Sequence, residues 1–284
     1  MRLMALSDLH VNHAANRATL EALPAQPDDW LILGGDLGES LDGVRWVLDT
    51  LGPKWKRLVW VPGNHELWVH KDGLRGEAKY RALVDLCRER GVLTPEDPYP
   101  TLSIDGVDRV ICPLFVLYDY SFCPPGMTPK EAVAWAAEDG IQCADEIYLD
   151  PAPHVDRAAW CRARVASTEA RLSELPPDAR TVLVAHWPLR LDLVRIYRIP
   201  RFIPWCGTLA THDWHTRFRA DVVVTGHLHM RATDWRDGTR FEEVSLGYPR
   251  HWDTEKGAAR YVRQILPDEI PGPASGVGGP IWHR

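Results

Sequence analysis

Five short apolar runs in this 284-residue chain each stop one to five residues before an acid, an amide or an imidazole. The runs span 2–6, 30–33, 58–61, 181–184 and 221–224. The groups that follow them are Asp8-Leu9-His10, Gly35-Asp36, Gly63-Asn64-His65-Glu66, Ala185-His186 and Gly226-His227-Leu228-His229. Apolar runs of this length suit strands buried on both faces. In open α/β sheets, ligands gather beyond the carboxyl ends of the strands, so strands ending this way would send their loops to one spot. Gly35, Gly63 and Gly226 directly precede Asp36, Asn64 and His227, which suits tight turns where backbone comes close to an ion.

The inventory is large enough for two adjacent metal ions. A phosphate ester repels an attacking hydroxide, and a protein without covalent catalysis answers with concentrated positive charge and a water of lowered pKa. Two divalent ions about 3.5–4 Å apart provide both. Such a pair needs one shared anionic ligand, together with neutral imidazoles, an amide oxygen and carboxylates. All of these groups occur in the five segments, and together they point to hydrolysis of a phosphate ester.

The ordered set Asp-x-His, Gly-Asp, Gly-Asn-His-Glu, His and Gly-His-x-His resembles the calcineurin-like metallophosphoesterase superfamily, from residue 3 to about 245. The resemblance implies an α/β fold, a four-layer α/β/β/α sandwich with two mixed β-sheets. It implies that Asp8, His10 and His229 bind one divalent ion, that Asn64, His186 and His227 bind a second, and that Asp36 bridges them. A hydroxide shared by both ions would attack phosphorus in line, with His65 as general acid. Glu66 is expected to orient an imidazole ring through a hydrogen bond. The mixed nitrogen and oxygen donors accommodate manganese, iron, zinc, cobalt or nickel.

Departures from the subfamilies narrow the substrate. Serine/threonine protein phosphatases of the superfamily carry phosphate-gripping arginines where this chain has Ser40 and Pro62, which argues against protein phosphatase activity. Cyclic-nucleotide phosphodiesterases and their bacterial relatives usually have aspartate where Glu66 stands. Monoester and diester hydrolysis both remain open at this point.

Candidate ligands at Asp8 and His10 leave no room for a cleaved signal peptide of about 15–30 residues, so a cytoplasmic enzyme is expected. The six cysteines form no Cys-x-x-Cys pair, in keeping with reduced thiols. No apolar run approaches the roughly 18 residues that suggest a membrane span. A net charge of −6 argues against nonspecific binding to duplex nucleic acid. The other histidines, His13, His70, His154, His212, His215, His251 and His283, are read as surface or core residues.

Between the motifs, 14–23, 41–51 and 76–90 read as helices, 101–104 and 110–112 as a hairpin, and 241–244 as a late strand. A metallophosphoesterase domain is expected over 1–266, with insertions near 115–156 and 190–218. The first is read as loop-rich with a short helix near 129–138. The second follows His186 and interleaves Arg190, Arg195, Arg198 and Arg201 with Tyr197, Phe202 and Trp205, opposed within the segment by Asp192 alone. Guanidinium groups pair with phosphate oxygens and aromatic rings stack on flat groups, so Arg190, Arg195, Arg198, Arg201 and Tyr197 are the expected substrate-binding residues. The Pro- and Gly-rich stretch 267–284 is expected to be a flexible tail.

The leading reading is a dinuclear metal-dependent phosphoesterase acting on a small phosphorylated molecule. A phosphodiesterase of cyclic nucleotides or nucleic acid ends is the enzymatic alternative. A noncatalytic scaffold for protein binding is the third, and the complete ligand set with His65 present opposes it.

Overall fold

The computed structural model describes residues 1–70, 73–270, 272 and 278–283. Its frame is two β-sheets packed face to face. The first has the order β10-β1-β2-β3, from Arg263–Leu266, Leu3–Leu6, Gln26–Leu33 and Trp55–Trp60. The second has the order β11-β8-β9-β7-β6-β5-β4, from Gly278–Trp282, Ala232–Arg236, Thr239–Glu243, Ala220–Thr225, Thr181–Val184, Val107–Pro113 and Thr101–Ile104. Both sheets are mixed: β1-β2-β3 and β5-β6-β7-β9 pair in parallel, while β10, β4, β8 and β11 pair antiparallel.

Alternation along the strands creates the layers. Leu3, Ala5, Ile32, Val59 and Val61 face Ile111, Val182, Val184, Val222 and Val224 in an inter-sheet core of aliphatic side chains. The intervening residues Met4, Leu6, Leu31, Leu33, Leu58 and Trp60, and on the other sheet Leu183 and Val223, point outward into a second core shared with the helices. A two-residue period explains why each apolar run serves both cores at once.

Helices α1 (Ala14–Glu21), α2 (Leu41–Leu51), α3 (Asn64–Leu67) and α4 (Gly76–Arg88) lie between or after the first three strands. Ser40 caps α2 by accepting a hydrogen bond from the Gly43 amide at 3.1 Å. The ring of Trp60 stacks on Tyr80 of α4, which ties the outward face of β3 to that helix. Later come α5 (Pro129–Glu138), opened by a Thr128/Glu131 capping box, α6 (Asp145–Tyr148), α7 (Arg157–Ser173) and α8 (Trp214–Arg217). Among the described residues no helix is long and apolar enough to cross a membrane.

The four-layer sandwich, the helices and the hairpin follow the sequence reading, but α7 does not appear in it. Its buried face is Ala158, Trp160, Cys161, Val165, Thr168 and Leu172, and the small or polar members with the arginines between them dilute the apolar signal of Trp160, Val165 and Leu172. The expected tail also differs. Gly278–Trp282 forms strand β11 against β8, with Ile281 opposite Thr233 and Trp282 opposite Ala232. An edge position tolerates the proline of that strand, and the Gly/Pro composition had hidden two apolar residues that pair. Residues 271, 273–277 and 284 of the same stretch lie outside those described.

Leu33 is fully buried at the end of β2, two residues before the Gly35-Asp36 turn. Leu33→Ala should lower the unfolding free energy by about 2–5 kcal/mol, measurable by urea denaturation.

Candidate metal centre

All five loops converge at the carboxyl ends of β1, β2, β3, β6 and β7. The β1 and β2 loops run side by side, with the Asp8 amide donating to Gly35 O at 2.9 Å and the His10 amide to Asp36 O at 2.9 Å. The β6 and β7 loops are joined by the Gly226 amide, which donates to His186 O at 2.9 Å. Asp8, His10, Asp36, His227 and His229 all have positive φ, between 41° and 71°. Left-handed backbone is uncommon outside glycine, and its concentration here marks turns held by their surroundings to aim side chains inward.

Two glycines make room for carboxylates. A Cβ on Gly63 would fall 2.1 Å from Asp36 Oδ1, and one on Gly226 would fall 2.4 Å from Asp8 Oδ2. The glycines therefore admit the neighbouring side chains, whereas the sequence reading had the backbone itself approaching an ion.

Three groups of side chains bring donor atoms within 4.8 Å of one another: Asp8, His10 and His229; His10, Asp36 and His65; and Asp8, Asp36 and His186. His229 Nε2 lies 3.0 Å from Asp8 Oδ1 and 3.2 Å from His10 Nε2. Asp36 Oδ2 lies 3.9 Å from His10 Nε2 and 3.5 Å from His186 Nε2, between the two sets. Asn64 Oδ1, His186 Nε2 and His227 Nε2 are buried atoms with no hydrogen-bond partner. Orphaned buried polar atoms are costly unless something else binds them; of the three, His186 Nε2 is the one beside Asp36 Oδ2, and the His186 ring meets His227 edge-on at 5.1 Å.

In several cases the second atom of a donor group is held by the protein. Asp8 Oδ2 accepts from Ser7 Oγ at 2.6 Å, Ser245 Oγ at 2.7 Å and the His227 amide at 3.0 Å. Asn64 Nδ2 donates to Asp145 Oδ1 at 2.9 Å, and His186 Nδ1 sits 2.8 Å from Gly34 O. Glu66 is bound differently from its expected role: among the described residues it makes no hydrogen bond to an imidazole nitrogen. Its Oε2 accepts from the Asp36 amide at 2.9 Å and the Gly63 amide at 3.0 Å, and Oε1 from the Leu37 amide at 2.9 Å. It pins the β2 loop to the β3 loop, because a buried carboxylate satisfies several amides at once.

The charge at this spot is negative. Asp8, Asp36 and Glu66 are buried, and among the described residues none of them pairs with a lysine or arginine. Burial, with the charges of Asp8 and Glu66 added, pushes the Asp36 carboxyl well above the ordinary carboxylate range. Burial opposes the charge of Asp8 too, but His229, His186 and His10 hold its carboxyl well below that range. Burial lowers His10 and His186, which favours the neutral imidazole that ligates metals. Donor set, orphaned atoms and unbalanced charge all fit divalent cations.

His65 faces the same volume with Nε2 3.8 Å from Asp36 Oδ2, while its Nδ1 lies 3.6 Å from Glu39 Oε1 and its ring packs on Trp68 at 3.8 Å. Glu39, Asp145 and Tyr248 escaped the sequence reading. Glu39 is three residues beyond Asp36 in the same turn, a signal that was available. Asp145 belongs to the 115–156 insertion and reaches Asn64 across 81 residues. Tyr248 lies past the last motif and packs its ring on His10 at 4.4 Å and His229 at 5.0 Å.

The arginine segment does not gather at the donors. Arg195 pairs with Asp234 through both guanidinium nitrogens at 2.6 and 2.8 Å, Arg201 is held by Glu138 at 2.7 Å and Asp139 at 2.9 Å, and Arg190 by Asp192 at 2.9 Å. Within the segment Asp192 was the only acid in view; the others come from β8 and from α5 and its C-terminal end. Arg198 and Tyr197 remain exposed beside His229, on the wall of a groove.

A family model for calcineurin-like phosphoesterases matches residues 1–231. The chain belongs to the calcineurin-like phosphoesterase family. It is 48% identical over 284 residues to the [acyl-carrier-protein] phosphodiesterase PptH of Mycobacterium tuberculosis, an alignment covering 98% of this chain and 87% of that one. The crystal structure of phosphopantetheinyl hydrolase (PptH) from Mycobacterium tuberculosis superposes with a TM-score of 0.90 at 47% identity, covering 96% of this chain and 98% of the other. As a calcineurin-like phosphoesterase, the protein is a metal-dependent hydrolase of phosphate esters.

Glu66→Ala should strand the amides of Asp36, Leu37 and Gly63. The expected loss is about 3 kcal/mol or more, given roughly 1–3 kcal/mol for each buried group left unpaired. Urea denaturation checks the stability, and elemental analysis should show less metal per chain.

Proposed function

We propose that this phosphoesterase hydrolyses the phosphodiester that joins phosphopantetheine to a serine of an acyl carrier protein, using two divalent ions. The 48% identity to a phosphodiesterase of that name, across nearly the whole chain, is the observation that carries the substrate. The substrate is then borne by a protein, where the sequence reading had a small free molecule.

The ion sites follow from donors left free by their neighbours. Asp8, His10 and His229 would hold one ion, Asn64, His186 and His227 the other, and Asp36 Oδ2 would serve both. Its place between His10 Nε2 and His186 Nε2 supports that role. Divalent ions of the manganese-to-zinc series, held there, supply Lewis-acid polarisation of the phosphoryl group and a water of lowered pKa.

The chain's own part is orientation and proton delivery. Asp8 Oδ1, Asn64 Oδ1 and His186 Nε2 are aimed because their partner atoms are tied to Ser7, Ser245, Asp145 and Gly34. His65 would donate a proton from Nε2 to the departing seryl oxygen, with Glu39 Oε1 3.6 Å from its Nδ1. Trp68 supports the ring from behind.

The direct test is release of free phosphopantetheine from a phosphopantetheinylated carrier protein, followed by mass spectrometry. Wild-type enzyme should convert the carrier to its unmodified form. His65→Ala should keep its metals and slow turnover by about 10²–10⁴-fold. Asp36→Asn should lose metal and nearly all activity. An enzyme that leaves the carrier intact while hydrolysing free phosphomonoesters would overturn the proposal.

A further inference from the structure

Beside the metal centre a groove of about 890 Å³ opens from His229 and His251. That size lies within the roughly 300–1,000 Å³ typical of sites for small organic ligands. One wall is the 195–199 loop and the other is the 250–256 turn, with Trp252 and Tyr261 buried beneath and Trp282 at the far rim. Tyr197, Ile199 and Trp282 line it while staying 78%, 45% and 42% exposed. Large apolar side chains left open beside a reaction centre mark a surface that something covers.

The groove has a definite position relative to the acid. The His10 ring packs against both His65, with centroids 4.6 Å apart, and His229, at 5.1 Å. The groove is lined by His229, and neither His65 nor Glu39 lines it. A phosphodiester at the centre carries two arms. The arm beside His65 departs with a proton, and the other keeps the phosphorus.

We infer that this groove holds the pantetheine arm of the substrate. The inference rests on the carrier-protein reading given above. In the step, the oxygen of water joins phosphorus, the seryl oxygen leaves with the proton from His65, and phosphopantetheine stays in the groove as a monoester. The dimethyl carbon and methylenes of the arm lie against Tyr197, Ile199 and Trp282, which removes apolar surface from water on both partners. Arg250, exposed at the mouth and without a carboxylate partner among the described residues, lies over the Tyr248 ring at 5.0 Å. It is placed to accept the charge gained when the diester becomes a monoester.

Trp282→Ala is the informative variant, because the side chain is half-exposed at a strand end and its loss leaves the two cores intact. Three readouts are compared: KM for phosphopantetheinylated carrier protein, inhibition by free pantetheine, and turnover of bis(4-nitrophenyl) phosphate, which has no such arm. The expected result is a rise of about tenfold in KM and in the pantetheine inhibition constant, with the small diester turned over within about twofold of wild type. Titration calorimetry of pantetheine into metal-stripped enzyme should show the same weakening. Unchanged pantetheine inhibition overturns the assignment, and if the carrier KM still rises, the groove receives the carrier's protein surface instead. Failure of wild-type enzyme to act on the carrier at all would sink the functional reading itself, a separate outcome.

Discussion

Buried carboxylates that no described lysine or arginine pairs with govern this structure. Asp8 and Asp36 end neighbouring parallel strands inside the protein, Glu66 is walled in beside them, and no described lysine or arginine answers their charge. An arrangement of that kind is unfavourable in a dry interior unless cations complete it. The left-handed turns, the two crowded glycines and the staple from Glu66 to three amides make sense as the means by which a strained loop cluster is held for those cations.

The donors share one organising device. In Asp8, Asn64 and His186 one polar atom is engaged by a serine, an aspartate or a main-chain carbonyl; among the described residues the other atom of Asn64 and of His186 has no hydrogen-bond partner, and Asp8 Oδ1 lies against His229. A side chain fixed at one end loses little further freedom when its other end takes a ligand. The two sheets are both required for this. Asp8, Asp36 and Asn64 follow strands of the smaller sheet, whereas His186, His227 and His229 follow strands of the larger one. The aliphatic layer between the sheets sets the relative position of the two halves.

The parts of this architecture that were legible in the chain are those written in local pattern. Apolar runs that end in chemistry announced five strands, and the order of the motifs announced the family and its two sheets. What escaped were contacts between segments distant in sequence. The arginines from 190 to 201 looked unopposed because Asp234, Glu138 and Asp139 come from elsewhere in the fold. Asp145 gave no signal because its partner Asn64 is far upstream, and Tyr248 gave none because stacking on an imidazole leaves no spacing to read. Helix α7 was obscured by the small and polar residues and the arginines interspersed with its buried Trp160, Val165 and Leu172, and β11 by the composition around it.

Asp8 lies near one end of the polypeptide, yet Ser245 holds its carboxylate and the amides of Leu246 and Gly247 bond the carbonyls of Ser7 and Asp8. The Asp8 end of the donor cluster is therefore joined by a segment synthesised more than two hundred residues later. On the ribosome the emerging chain presents only fragments of the centre, and an ion captured early would meet a partial and differently selective set of donors. The full set of donors is thereby complete only once translation has passed the last of these segments.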